Sequence, residues 1–359
     1  MKKLLLLLFV LVLSMSLLAG CTQPAEEPAE TPAETPAETP EEPAEEPAEE
    51  VEEGTIAKLG LGHVISIAKS TDAEAEKTAQ AQSDVTVIAV GFDAEGKVVS
   101  AELDVAQTRV AFDENMAVST DREGEFKTKK ELGEDYGMLK ASEIGKEWFE
   151  QAQALEEWMI GKTVDEITGI ELEDGAPTNE DLVSSVTIGV DTYFAALEQA
   201  WAEAIDVEGA ETVGLGTKIS IAKSKDATAD AGAMAQVDNV LAATAFDAEG
   251  NVAGAVIDTA QVKIQYDLEG KVETDKEAEL MTKNELKEDY GMLKASGIEK
   301  EWYEQSAALA DWMVGKSVDE IAGMSMEDGA PTEEDLVSSV TMGVEDYIFV
   351  VEEAYEIAK

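Results

Sequence analysis

Glu134-Asp135-Tyr136-Gly137-Met138-Leu139-Lys140-Ala141-Ser142 returns, residue for residue, as Glu288-Asp289-Tyr290-Gly291-Met292-Leu293-Lys294-Ala295-Ser296. The offset of 154 residues that carries Glu134 to Glu288 also carries Gly60-Leu61-Gly62 to Gly214-Leu215-Gly216. It carries Phe92-Asp93-Ala94-Glu95-Gly96 to Phe246-Asp247-Ala248-Glu249-Gly250, and residues 173–190 to 327–344, with no insertion. Even Pro177 and Pro331 correspond. A unit of this length can bury a core of its own, so the chain reads as tandem domains and not as a solenoid. The boundary falls near residues 206–210, which gives repeat domains over 54–207 and 208–359.

Within a copy the pattern runs strands first and helices after. Residues 64–68 and 85–92 are rich in β-branched side chains, and 97–112 alternates well enough for a long strand. Asp93-Ala94-Glu95-Gly96 supplies the turn of a hairpin. Ser142 is then expected to cap a helix on which Trp148, Leu155 and Met159 share one face, with Trp158 beside it. Gly161 ends that helix, residues 163–167 begin a second before Gly169, and a final helix spans 191–204. The expected fold class is α+β, an antiparallel sheet followed by helices, in two tandem copies. Tryptophans at helical spacing read as core and not as a cofactor sandwich.

The N-terminal segment has its own grammar. Lys2 and Lys3 precede an apolar run that ends in Leu18-Ala19-Gly20-Cys21, so residues 1–20 read as an export signal. Small residues before that cysteine resemble a bacterial lipobox. The resemblance implies that Cys21 becomes a lipidated N-terminus, anchored in the cell membrane on its extracytoplasmic face. Residues 22–53 hold thirteen Glu, seven of the nine prolines and no Lys or Arg, so 21–53 is expected to be a lipidated cysteine and a spacer without helix or sheet.

Charge and composition exclude much. The net charge of −52 opposes nucleic-acid binding, which needs clustered cations. One cysteine and one histidine, His63, leave no intrachain disulfide, no thiolate-rich metal site and no duplicated Ser-His-Asp triad. Asp93 to Gly96 is too short for a calcium loop, and Gly60-Leu61-Gly62 lacks the third glycine and the following helix of a dinucleotide fingerprint. Lys140 and Lys294 are scarce cations that could meet a phosphate or pair with neighbouring carboxylates. No catalytic residues and no metal ligands are assigned.

The stretch with the most specific chemistry is Asp181-Leu182-Val183-Ser184-Ser185-Val186-Thr187, repeated as Asp335-Leu336-Val337-Ser338-Ser339-Val340-Thr341. Its hydroxyls stand ahead of the last helix, where backbone N–H groups can receive a phosphate or be capped by those same hydroxyls. It resembles the FMN-binding domain of the flavin-carrying subunits of Rnf- and Nqr-type redox pumps and of extracellular electron-transfer lipoproteins. That family's motif reads Asp-x-x-Ser/Thr-Gly-Ala-Ser/Thr, and its last hydroxyl residue carries FMN through a phosphoester bond. Asp181, Ser184 and Thr187 match, as do Asp335, Ser338 and Thr341, whereas Ser185-Val186 and Ser339-Val340 replace Gly-Ala. Glycine there allows a close phosphate approach.

The resemblance implies a flavin carrier in extracellular electron transfer, with FMN held covalently through Thr187 and Thr341, a redox partner protein and no turnover of its own. The residues alone leave two other readings open. One is a non-catalytic surface binding module for a small ligand, a cation or a partner protein. The other is a hydrolase, for which no nucleophile–base pair is identifiable.

Overall fold

The structure, a computed structural model, describes residues 55–359. The expected signal peptide, Cys21 and the spacer lie outside the described residues. The fold is α+β, as expected. In the first copy, strands β1 (Ile56–Ser66), β2 (Gln80–Phe92) and β3 (Val98–Ala111) precede helices α1 (Lys129–Leu132), α2 (Trp148–Met159) and α3 (Val164–Thr168). A small ladder of β4 (Leu172–Glu173) and β5 (Ala176–Pro177) then leads to α4 (Asp191–Ala202). Strand β6 (Ile205–Ala210) joins the copies. The second copy repeats the order as β7 (Thr212–Ser220), β8 (Met234–Phe246), β9 (Val252–Gln265), α5 (Lys283–Leu286), α6 (Trp302–Met313), α7 (Val318–Ala322), β10 (Met326–Glu327), β11 (Ala330–Pro331) and α8 (Glu345–Ala358).

The expected hairpin forms between β2 and β3. Its turn is held by Asp93, whose Oδ1 accepts the N–H groups of Glu95 at 3.0 Å and Lys97 at 2.7 Å. The first strand begins earlier than its β-branched residues suggest, because Gly60-Leu61-Gly62 lies within it. Glycine is poor in strands, yet here α4 crosses the sheet directly. A Cβ on Gly60 would stand 2.1 Å from the Ala200 carbonyl oxygen, and one on Gly62 only 1.8 Å from that of Ala196.

The start of α2 differs from expectation. Its N-cap is Glu147 and not Ser142, and Glu147 forms a capping box with Glu150. The Glu147 carboxylate also accepts the N–H groups of Met138 at 2.7 Å and Leu139 at 3.0 Å. Glu301 does the same for Met292 and Leu293. The repeated Glu-Asp-Tyr-Gly-Met-Leu stretch is therefore a loop wrapped on a buried carboxylate, with Gly137 at φ 76° making the bend. Ser142 instead accepts the Lys146 N–H within that loop.

Two sheets, β3-β2-β1-β6 and β7-β8-β9, stack face to face with their helices outside. Alternation along β2 shows the layering. Ile88, Val90 and Phe92 face the helices of their own copy, while Val85, Val87 and Ala89 face the other sheet. Each copy has its own helix–sheet core, around Trp148 and around Trp302, so these tryptophans are core. Two further clusters mix the copies: Leu59, Leu61 and Val87 pack with Leu215 and Leu241, and Phe112 packs with Ile219 and Tyr266.

Hydrogen bonds cross the join in matched pairs. Ala73 N–H donates to Gly270 O at 2.8 Å, and Ala227 N–H to Met116 O at 3.0 Å. Val272 N–H donates to Asp72 at 2.9 Å, and Val118 N–H to Asp226 at 2.8 Å. The members of each pair are related by the sequence offset, so the copies meet by a pseudo-two-fold, self-complementary interface. β6 pairs with β1, Leu59 opposite Ile205, so the boundary drawn between 207 and 208 runs through a strand. The copies share core and are not separate bodies.

Candidate functional site

The hydroxyl-bearing stretch folds as a turn packed under the last helix. Leu182 and Val186 point inward at 1% and 0% exposure, while Asp181 and Ser184 face outward. Ser185 Oγ donates to Leu182 O at 3.2 Å. The replacement of the family's alanine by Val186 thus fills core, and Ser185 closes the turn. In the second copy Asp335 and Ser338 are likewise exposed, and Asp335 accepts the Trp312 indole N–H at 3.2 Å. The motif residues of the two copies do not form one common site: each set sits beside its own last helix.

Those helices are capped differently from the expectation. The N-caps of α4 and α8 are Val190 and Val344, neither of which makes a side-chain capping bond. Thr187 and Thr341 serve another partner, a glutamine buried on the preceding long helix. Gln151 Oε1 accepts Thr187 N–H at 2.8 Å, the Thr187 hydroxyl at 3.2 Å and Ile188 N–H at 3.2 Å. Gln305 repeats the backbone part of this, accepting Thr341 N–H at 2.9 Å and Met342 N–H at 3.3 Å, with the Thr341 hydroxyl oxygen 3.3 Å away. Both glutamines are fully buried. The Thr341 hydroxyl donates its one proton to Ser296 O at 2.8 Å.

This geometry bears directly on FMN. A phosphate at Thr187 would need the hydroxyl and adjoining N–H groups, and those donors already converge on the Gln151 carbonyl oxygen. The residues as they stand do not fit the group. Gln151 and Gln305 escaped the sequence reading, although a glutamine kept in both copies between apolar helix positions was the available signal. Lys140 and Lys294 are exposed at their turns.

A second polar constellation spans the copies. His63 Nε2 lies 3.0 Å from a Glu285 carboxylate oxygen, while Gln199 accepts His63 N–H at 2.8 Å and donates to Glu285 at 3.0 Å. The offset maps this set onto Thr217, Glu131 and Glu353, where Glu353 accepts Thr217 N–H at 2.6 Å. Burial pushes the Glu353 carboxyl up to about 7, with Glu131 and Asp104 adding like-charge repulsion and the Thr217 bond opposing. Among the described residues no group of three or more His, Cys, Asp or Glu is placed to hold a metal ion, and no helix is long and apolar enough to cross a membrane.

No family model and no solved structure matches this chain. One curated protein is similar over a limited stretch: a protein named chlorophenol reductase, from Desulfitobacterium hafniense, is 35% identical over 95 residues. The match covers 23% of this chain and 29% of that protein.

Proposed function

We propose that this protein is a lipid-tethered, extracytoplasmic binding module that catalyses no reaction of its own. Its two domains belong by resemblance to the FMN-binding type, but they are built to hold a shape and not a flavin. The observation that carries this reading is the pair of buried glutamines. In both copies Gln151 or Gln305 takes the two backbone donors that a phosphoester-linked cofactor would require, and the threonine hydroxyl is engaged within the fold, by Gln151 in the first copy and by Ser296 O in the second. His63, the one imidazole, is tied to Glu285 between the copies, which supports a structural and not a catalytic role.

The resemblance of residues 181–187 and 335–341 to the FMN-binding motif supports a second reading, a flavin carrier working with a redox partner protein. The visible spectrum of protein purified from its native host separates the two. A binding module is colourless, whereas a flavin carrier absorbs near about 450 nm. Yellow protein whose colour disappears in the Thr187→Ala, Thr341→Ala double variant would overturn the first reading in favour of the second.

A further inference from the structure

The copies differ in chemistry at the free edge of the last strand, β3 in the first copy and β9 in the second. In the first copy an ionic plug closes that edge. Lys130 Nζ lies 2.7 Å from Glu102 and 2.6 Å from Glu156, and Glu156 also accepts the Leu103 N–H at 2.7 Å. The offset of 154 residues, as from Glu102 to Val256, turns Lys130 into Asn284, Glu156 into Ala310 and Gln153 into Ala307. All four changes remove charge or bulk at one place.

A hollow of about 170 Å³, open to solvent on one side, stands there, lined by Val256, Ile257, Asn284, Tyr303, Ala310 and Ile205, among others. Ile205 comes from β6, so the joining strand supplies one wall. An enclosed apolar cavity of about 150 Å³ admits a benzene ring, so a hollow of this volume can seat one ring with an edge left toward solvent. The cavity also has a polar floor. Asn284 Nδ2 donates to Ile257 O at 2.8 Å from outside the sheet. In an antiparallel strand the N–H and C=O of one residue point the same way, so the Ile257 N–H faces the cavity too. Its counterpart, Leu103 N–H, is satisfied by Glu156, but Ala310 offers no acceptor.

We propose that this cavity binds a small, neutral, ring-sized apolar molecule carrying one carbonyl acceptor, which takes the hydrogen bond that Glu156 makes in the first copy. Neutrality follows from the exchange of Lys130 for Asn284: the cation that balances the carboxylates is gone, while Asp311 remains at the rim. A carboxylate ligand would enter without a counter-charge. The inference names a ligand class for the binding module proposed above, but it rests on the cavity and not on the absence of flavin. The two can therefore fail separately.

Titration of the intact protein with benzamide and with acetophenone, followed by saturation-transfer NMR, tests it. Saturable binding is expected at a dissociation constant on the order of 1 mM or below. Sodium benzoate should bind at least about tenfold more weakly. Ala310→Glu with Asn284→Lys and Val256→Glu rebuilds the plug of the first copy and should abolish binding. Ala310→Leu, which fills the cavity without adding charge, should do the same and guards against misfolding of the triple variant. Absence of saturable binding to wild type, equal binding of benzoate, or binding that survives both plugged variants would overturn the proposal.

Discussion

His63 of the first copy and Glu285 of the second are held with Nε2 and a carboxylate oxygen 3.0 Å apart, a contact that exists only because the two copies pack as one body. Burial works to raise the Glu285 carboxyl, but the hydrogen bonds from His63 and Thr282 outweigh it and hold it below its usual 4.5. A depressed carboxyl stabilises the fold above its unfolded value and loses that contribution as pH falls through the folded one. His63→Ala should therefore cost about 1–2 kcal/mol near neutrality, less than a fully buried pair because Glu285 is partly solvated. The difference from wild type should shrink below pH 4.5. Denaturant unfolding at several pH values measures both, and equal stability at pH 7 would contradict the contact's role.

The counterpart, Glu353, should behave in the opposite sense. Its folded carboxyl is raised from 4.5 to about 7, so the folded state holds a proton that the unfolded state releases. Stability is then lost as pH rises from 4.5 through about 7. Glu353→Gln, which copies Gln199, should raise the melting temperature at pH 8 and change it little at pH 4. A variant less stable than wild type at pH 8 would contradict this.

Gly62→Ala should prevent native folding or destabilise it by about 3 kcal/mol or more, because the added carbon falls 1.8 Å from a helix carbonyl oxygen that cannot move alone. Gly161→Ala makes the comparison: its added carbon meets nothing within 4 Å, so its cost is limited to the strain of φ 78°. Circular dichroism melts of the two variants suffice. Similar losses at both sites would argue against the strand–helix contact.

Val186→Ala should destabilise by about 1–3 kcal/mol, since Val186 is fully buried beside Leu182. An unchanged melting temperature would mean that the valine is dispensable to the core and that the departure from Gly-Ala has another origin.

Fragments 54–207 and 208–359, expected from sequence to fold alone, should instead expose the apolar face that each sheet buries in the other. Each should be unfolded or self-associated by itself, and mixing should restore a heterodimer, read by size-exclusion chromatography with light scattering. Two stable monomers that ignore each other would contradict the shared core.

Much of the fold was legible in particular residues. The offset from Glu134 to Glu288 exposed the duplication, Asp93 to Gly96 marked the hairpin, and Trp148, Leu155 and Met159 marked the buried helix face. What stayed hidden depends on contacts distant in sequence. Gly60-Leu61-Gly62 reads poorly as strand until α4 is seen against it. Val85 to Phe92 is apolar at nearly every position because both faces are covered, and one sequence cannot say that the second cover is its own repeat. The hydroxyl stretch stood out in the sequence but could not announce its partner, since Gln151 lies 36 positions away on another helix.

The central claim is that the threonine ahead of each last helix is bound to a glutamine and carries no cofactor. The intact mass of protein purified from its native host tests it most directly. The account predicts a chain that begins at Cys21, heavier by its acyl groups alone, with Thr187 and Thr341 unmodified. A mass increased by one or two FMN phosphoesters, mapped to either threonine, would contradict it.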